Sequence, residues 1–173
     1  MALYTNFHTL LLGDKMKLVT VDDMLILFLN RVYIQSLDFS DKESVQKYMK
    51  QLLSKLRNKY DLEFDGYYEM TLYLDMNYGV IIEVKKEELE YLDYFSNQIE
   101  MNTKVIEGSF LYEVSNFDEN FMEKFWVYKL KDKIYLRAKD NISNIEMGII
   151  LESAKIIYGD LADKIIRKAK VLR

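Results

Sequence analysis

The clearest periodic stretch of the chain lies between residues 41 and 59. Val45, Tyr48, Met49, Leu52, Leu53 and Leu56 recur at spacings of three and four, which places them on one face of a helix. Ser40 followed by Glu43 reads as a capping box, with each side chain satisfying a backbone N–H at the helix start. The opposite face carries Lys47, Lys50, Lys55 and Arg57.

The period then falls to two. Tyr68, Met70, Leu72 and Leu74 alternate with Tyr67, Glu69, Thr71 and Tyr73, as on a strand with two unlike faces. Turn-forming residues occupy 75–79, and Val80, Ile82 and Val84 alternate again, which predicts a β-hairpin. The second face of this hairpin, with Tyr67, Tyr73, Ile81 and Glu83, is mixed, as expected of a sheet covered mainly on one side. An apolar segment from Leu25 to Tyr33 precedes the helix, so the first half reads β-α-β-β. Further strands are predicted at about 104–106, 110–114, 125–130 and 134–137, and 87–96 reads equally as a short helix or an acidic loop.

The last quarter turns helical. Ser143 with Glu146 repeats the capping signature, and Ile142, Ile145, Ile149, Ile150, Ala154 and Ile157 form the stripe. Gly159 is a suitable stop for this helix. Asp160 then caps a last helix that turns Leu161, Ile165, Ile166 and Ala169 inward. Strands in the middle and helices at the edges make an α+β fold. The expectation is an antiparallel or mixed sheet of about five to seven strands, an amphipathic helix after the first strand, and two C-terminal helices packed on it. No repeat or linker interrupts the pattern, so residues 1–173 read as a single α+β domain.

Composition narrows the chemistry more than the fold. Half of the residues are apolar and 30% are charged, enough to build a core and too balanced for a disordered chain. The absence of cysteine excludes disulfides, thiolate zinc sites, iron–sulfur clusters and a cysteine nucleophile. His8 is the one histidine, which excludes histidine-rich metal sites. Neither phosphate-binding glycine pattern occurs, nor a nucleophile elbow or a zincin motif, so no cofactor is expected. Lysine outnumbers arginine 19 to 5 across the whole chain, which weakens any argument from lysine abundance alone.

Carboxylates are what remains for catalysis. Glu87, Glu88, Glu90 and Asp93 cluster beside Tyr91, Tyr94 and Phe95, and Glu113, Asp118, Glu119 and Glu123 surround Phe117, Phe121 and Phe125. The first group reads as a solvated acidic face before a partner-binding surface, and that before a catalytic or metal site; the second reads as a cover on the core before a docking site. Tyr67, Tyr68, Tyr73 and Tyr78 read as hairpin-stabilising aromatics before a base-stacking platform.

Charge is the sharper signal. Residues 42–59 carry a net +5 and residues 160–173 a net +3, leaving −12 for the rest of a chain of net −4. Lys47, Lys50, Lys55 and Arg57 with Lys164, Arg167 and Lys168 therefore form the candidate interaction surface. Side by side on one face, the two helices would create a continuous positive field. The sequence accordingly predicts a non-enzymatic protein–protein interaction or regulatory domain. A nucleic-acid-binding protein using helices 42–59 and 160–173 is the alternative, and a carboxylate-dependent enzyme the least favoured reading. Few arginines, net negative charge and the lack of a known nucleic-acid motif weigh against the alternative. No apolar run approaches the ~20 residues of a membrane helix. No secretory signal is visible, so cytoplasmic residence is expected. Tyr-rich strand edges leave room for a homodimer.

Overall fold

The computed structural model describes residues 10–11, 16–21, 24–61, 66–87, 98–116, 118–140 and 142–172. Its architecture follows from β3 (Met24–Asn30), which is apolar almost throughout and so needs cover on both faces. Leu25, Leu27 and Leu29 point into one core, and Ile26 and Phe28 into another.

Helix α2 (Lys42–Tyr60), reached through the short α1 (Arg31–Ile34), covers the first face. Its Val45, Met49, Leu52, Leu53 and Leu56 are buried against alternate residues of β4 (Gly66–Asp75) and β5 (Gly79–Glu87). These two strands form the predicted hairpin, with Met70 opposite Val84, Leu72 opposite Ile82 and Leu74 opposite Val80. The helix cap lies one residue later than the pattern suggests. Asp41 accepts the Glu43 N–H at 3.1 Å and the Ser44 hydroxyl at 2.6 Å, while Ser40 turns back to Asp38. A carboxylate with two oxygens holds two donors at once, which a serine hydroxyl facing Asp38 does not.

Strands β1 (Leu10–Leu11), β2 (Met16–Val21) and β6 (Ile99–Glu107) complete a six-stranded sheet in the order β1-β2-β3-β5-β4-β6. Every pair is antiparallel except β4 with β6. The helix thus follows the third strand rather than the first, because β2 alternates too briefly for its period to stand out.

A second sheet joins β7 (Leu111–Val114), β8 (Phe125–Leu130), β9 (Lys133–Ala138), β10 (Lys155–Ile157) and β11 (Lys170–Leu172). Its order is β10-β7-β9-β8-β11, antiparallel throughout. Tyr112, Val127, Leu136 and Ile156 pack on Ile26, Phe28 and Ile81 of the large sheet. The far face buries Leu111, Tyr128, Tyr135 and Ile157 under Ala162 and Ile165 of α4 (Gly159–Lys168). The molecule is α+β in four layers: α2, large sheet, small sheet, α4. The single-sheet expectation is corrected, and the reason is burial on both sides, which strand periodicity alone cannot reveal.

Helix α3 (Asn144–Ser153) begins with the predicted capping box. Ser143 Oγ accepts the Glu146 N–H at 3.2 Å and Glu146 accepts the Ser143 N–H at 2.8 Å. Ile142, Ile150 and Ala154 are buried, but Ile145 and Ile149 face solvent. A segment this rich in isoleucine gives no clear buried side. Ile157 belongs to β10 rather than to the helix. Gly159 opens α4 instead of closing α3, at φ 64°, where a Cβ would stand 3.1 Å from the Tyr73 ring.

Two positions at the β4–β5 turn are fixed by close contacts. Gly79 has φ 139°, and a Cβ there would run into the Leu29 carbonyl across the β3–β5 pair. The buried Asp75 carboxylate accepts the Asn77 N–H at 2.9 Å and the Phe110 N–H at 2.7 Å, tying the hairpin turn to the first turn before β7.

Candidate interaction surface

Helix α4 buries Ala162 and Ile165 and leaves Lys164, Arg167 and Lys168 exposed on the other side. Arg167 and Lys168 occupy the last turn, where the partial negative charge of the helix end favours cations. Arg167 Nε donates to the Asp163 carbonyl at 3.3 Å, which lays the guanidinium along the helix. The helix stops at Lys168, earlier than the sequence pattern suggests, and the chain crosses into β11.

Pairing with β8 sets Lys170 directly opposite Lys129, and both are exposed. Like charges facing each other across an antiparallel pair destabilise it, by up to ~1 kcal/mol. Lys131 follows in the β8–β9 turn, exposed and left-handed at φ 55°. Lys129 and Lys170 stand on the side of the small sheet that faces the large sheet, as Val127 and Leu172 do. Lys164, Arg167 and Lys168 lie on the outer side of α4, so a basic ridge borders the β11 edge from its two sides, with Lys131 in the adjoining turn. The side of the same two strands that faces α4 is apolar. Val171 is 47% exposed and Trp126, the one tryptophan, is 51% exposed. Val171 lies opposite Tyr128, so Trp126, two residues earlier on β8, is its diagonal neighbour. Lys139 Nζ sits 4.8 Å from the centroid of the Trp126 ring, a cation–π contact.

The α2 cations are arranged differently. Lys42, Gln46 and Lys50, one turn apart, reach over the outer edge of β6. Their partners are Asn102 Oδ1 at 3.0 Å, the Met101 carbonyl at 3.1 Å and Glu100 at 3.0 Å. Lys50 is thus an edge contact, Lys47 and Lys55 are exposed, and Arg57 is half-buried. Because α2 and α4 cover opposite outer faces of the two-sheet stack, the two basic helices do not merge into one field.

Among the described residues the candidate carboxylates do not converge. Glu87 ends β5 with Lys85 at 3.7 Å, while Glu88, Glu90 and Asp93 lie outside the described residues. Glu113 pairs with Lys133 at 2.8 Å, Asp118 accepts the Asn120 N–H at 3.0 Å, and Glu119 and Glu123 are exposed. Among the described residues no group of His, Asp and Glu side chains is arranged to hold a metal ion. The tyrosines divide between faces, with Tyr68 and Tyr78 buried and Tyr67 and Tyr73 half-buried, so they offer no stacking platform.

A cleft of about 460 Å³ opens beside Tyr73, walled by Lys104, Phe110, Gly159, Asp160 and Asp163. Beneath it Tyr158 donates to Glu83 at 2.6 Å, and the Tyr73 and Tyr158 rings meet edge to face at 4.9 Å. Burial, reinforced by Glu83, pushes both phenols up in pKa. Burial also pushes the Asp75 carboxyl up, against the backbone N–H groups of Phe110 and Asn77 that favour its charge.

Sequence reasoning found half of the ridge. Lys164, Arg167 and Lys168 are legible as a charged helix face, whereas Lys129 meets Lys170 only through the β8–β11 pairing. No helix of the described residues is long and apolar enough to cross a membrane. No protein-family pattern, curated protein or solved structure matches this chain.

Proposed function

We propose that the protein is a non-enzymatic interaction domain that docks an acidic protein partner on the ridge formed by α4, β11 and β8. The observation that carries this reading is the register of Lys170 against Lys129 on one side of the β11 edge, with the exposed Lys164–Arg167–Lys168 face of α4 on its other side. That pairing costs the isolated protein stability, and a carboxylate-bearing partner removes the cost by neutralising both ammonium groups. The ridge sits on a chain of net charge −4, so its positive field is local and oriented. Exposed Val171 and Trp126 beside it add the apolar and aromatic area on which interfaces concentrate their affinity.

The test compares two charge-reversed proteins against the partner isolated with the wild type. Reversing Lys129, Lys168 and Lys170 to Glu weakens capture by roughly tenfold or more, while reversing Lys47 and Lys55 leaves it unchanged. Capture that is lost on nuclease treatment transfers the ridge to nucleic acid. Capture insensitive to the ridge reversal removes the proposal.

A further inference from the structure

Among the described residues β11 is the edge strand of the small sheet, and only its inner side pairs, with β8. Residues 170 and 171 are exposed and residue 172 is half-buried. The outer N–H and C=O groups of such an edge are a template for another strand. The edge also has two chemically distinct sides. One presents Lys170 and Lys129 opposite each other, and the other presents Val171 beside Trp126. Building on the ridge as an acidic-protein site, we infer that the partner docks by adding an extended segment to β11 as a further strand. Its alternate side chains are acidic toward the lysines and apolar toward Val171 and Trp126.

The same residues select against a second copy of this chain. Two β11 edges meeting side by side would bring two Lys129–Lys170 pairs together, adding like charge to like charge. An acidic strand meets the opposite condition. It gains main-chain hydrogen bonds from the edge, and specificity from the alternation, because successive side chains of a strand point to opposite faces. The large sheet offers no equivalent on β6. Gln46 occupies the Met101 carbonyl there, and Lys42 and Lys50 cross the edge.

The experiment uses the full chain and the blocked peptide Glu-Val-Glu-Val-Glu-Thr-Glu, read by the emission of Trp126. Binding moves this emission to the blue as the half-exposed indole is covered, and it weakens with salt. Peptides N-methylated at alternate residues distinguish strand addition from charge alone. Methylation in the frame that faces β11 weakens binding by roughly tenfold or more, and methylation in the other frame does not. If both methylated peptides bind like the parent, strand addition is overturned while the acidic-partner reading stands. If the parent peptide fails to bind at low salt although Lys129→Glu/Lys170→Glu still loses the isolated partner, strand addition is again overturned. Binding of peptide and partner that survives Lys129→Glu/Lys170→Glu, with the helical signal of the variant intact, overturns both.

Discussion

Replacing Asp75 tests the joint between the two sheets. Its two carboxylate oxygens divide the work, one taking the Asn77 N–H inside the hairpin turn and the other the buried Phe110 N–H. Asp75→Ala leaves both donors without their acceptor. A buried donor left unpaired costs about 1–3 kcal/mol, and the partly buried Asn77 N–H regains some solvent, so the expected loss is about 2–4 kcal/mol. Asp75→Asn keeps one carbonyl oxygen and turns an amide NH2 toward the other donor, for a loss of about 1–2 kcal/mol. The pH dependence has a definite sign. Desolvation raises the folded pKa above the ordinary 3.8, so the folded state holds this proton more tightly than the unfolded state does. The contribution is therefore fully present below the unfolded pKa and is lost as pH rises through the folded one. Urea titrations followed by far-UV circular dichroism, run from pH 3 to 7, supply the comparison. Wild type minus Asp75→Asn should become more favourable to wild type as pH falls. A difference that grows with rising pH, or an Asp75→Ala variant within about 0.5 kcal/mol of wild type, would refute the argument.

Three further outcomes are expected. Gly79→Ala forces a side chain to φ 139° and into the Leu29 carbonyl, which costs about 3 kcal/mol or more and lowers Tm by roughly 10 °C in calorimetry. Tyr112→Phe removes a hydroxyl that is fully buried with no hydrogen-bond partner among the described residues, so denaturation should find the variant as stable as wild type or slightly more so. A marked loss would reveal a bond to that oxygen. Glu146→Gln removes a carboxylate whose pKa is lowered by the backbone N–H and side chain of Ser143, with Lys124 at 3.7 Å adding to it. The stability it contributes is present above the unfolded carboxylate pKa and lost as pH falls through the lowered one, so a thermal-melt series should show wild type and variant converging in acid.

What could be read from the sequence was whatever the local period displayed. The α2 stripe and the β4–β5 hairpin are long enough for spacing to name both the element and its buried face. β3 carried its message in a form that periodicity does not score. Six apolar residues in a row mean cover on both sides, and that run was the one available sign of a second sheet. β10 and β11, three residues each, are too short to show any period and were absorbed into the flanking helices. The candidate surface failed in the same way. Charge along α4 was legible because helix neighbours are sequence neighbours, but Lys129 and Lys170 stand forty-one positions apart and meet only through pairing. The supposed union of α2 with α4 was lost for a related reason, since nothing local records which side of which sheet a helix will cover.

The three side chains that α2 throws over β6 have a consequence for how the protein survives at high concentration. β6 is nine residues long and rich in β-forming side chains, the kind of strand that recruits others into aggregates when its edge is bare. Lys42, Gln46 and Lys50 turn that edge into a charged, partly occupied border. Solubility is thereby tied to the seating of a helix. A change that loosens α2 from the sheet, such as at Leu56, uncovers that strand edge together with the core the helix covers.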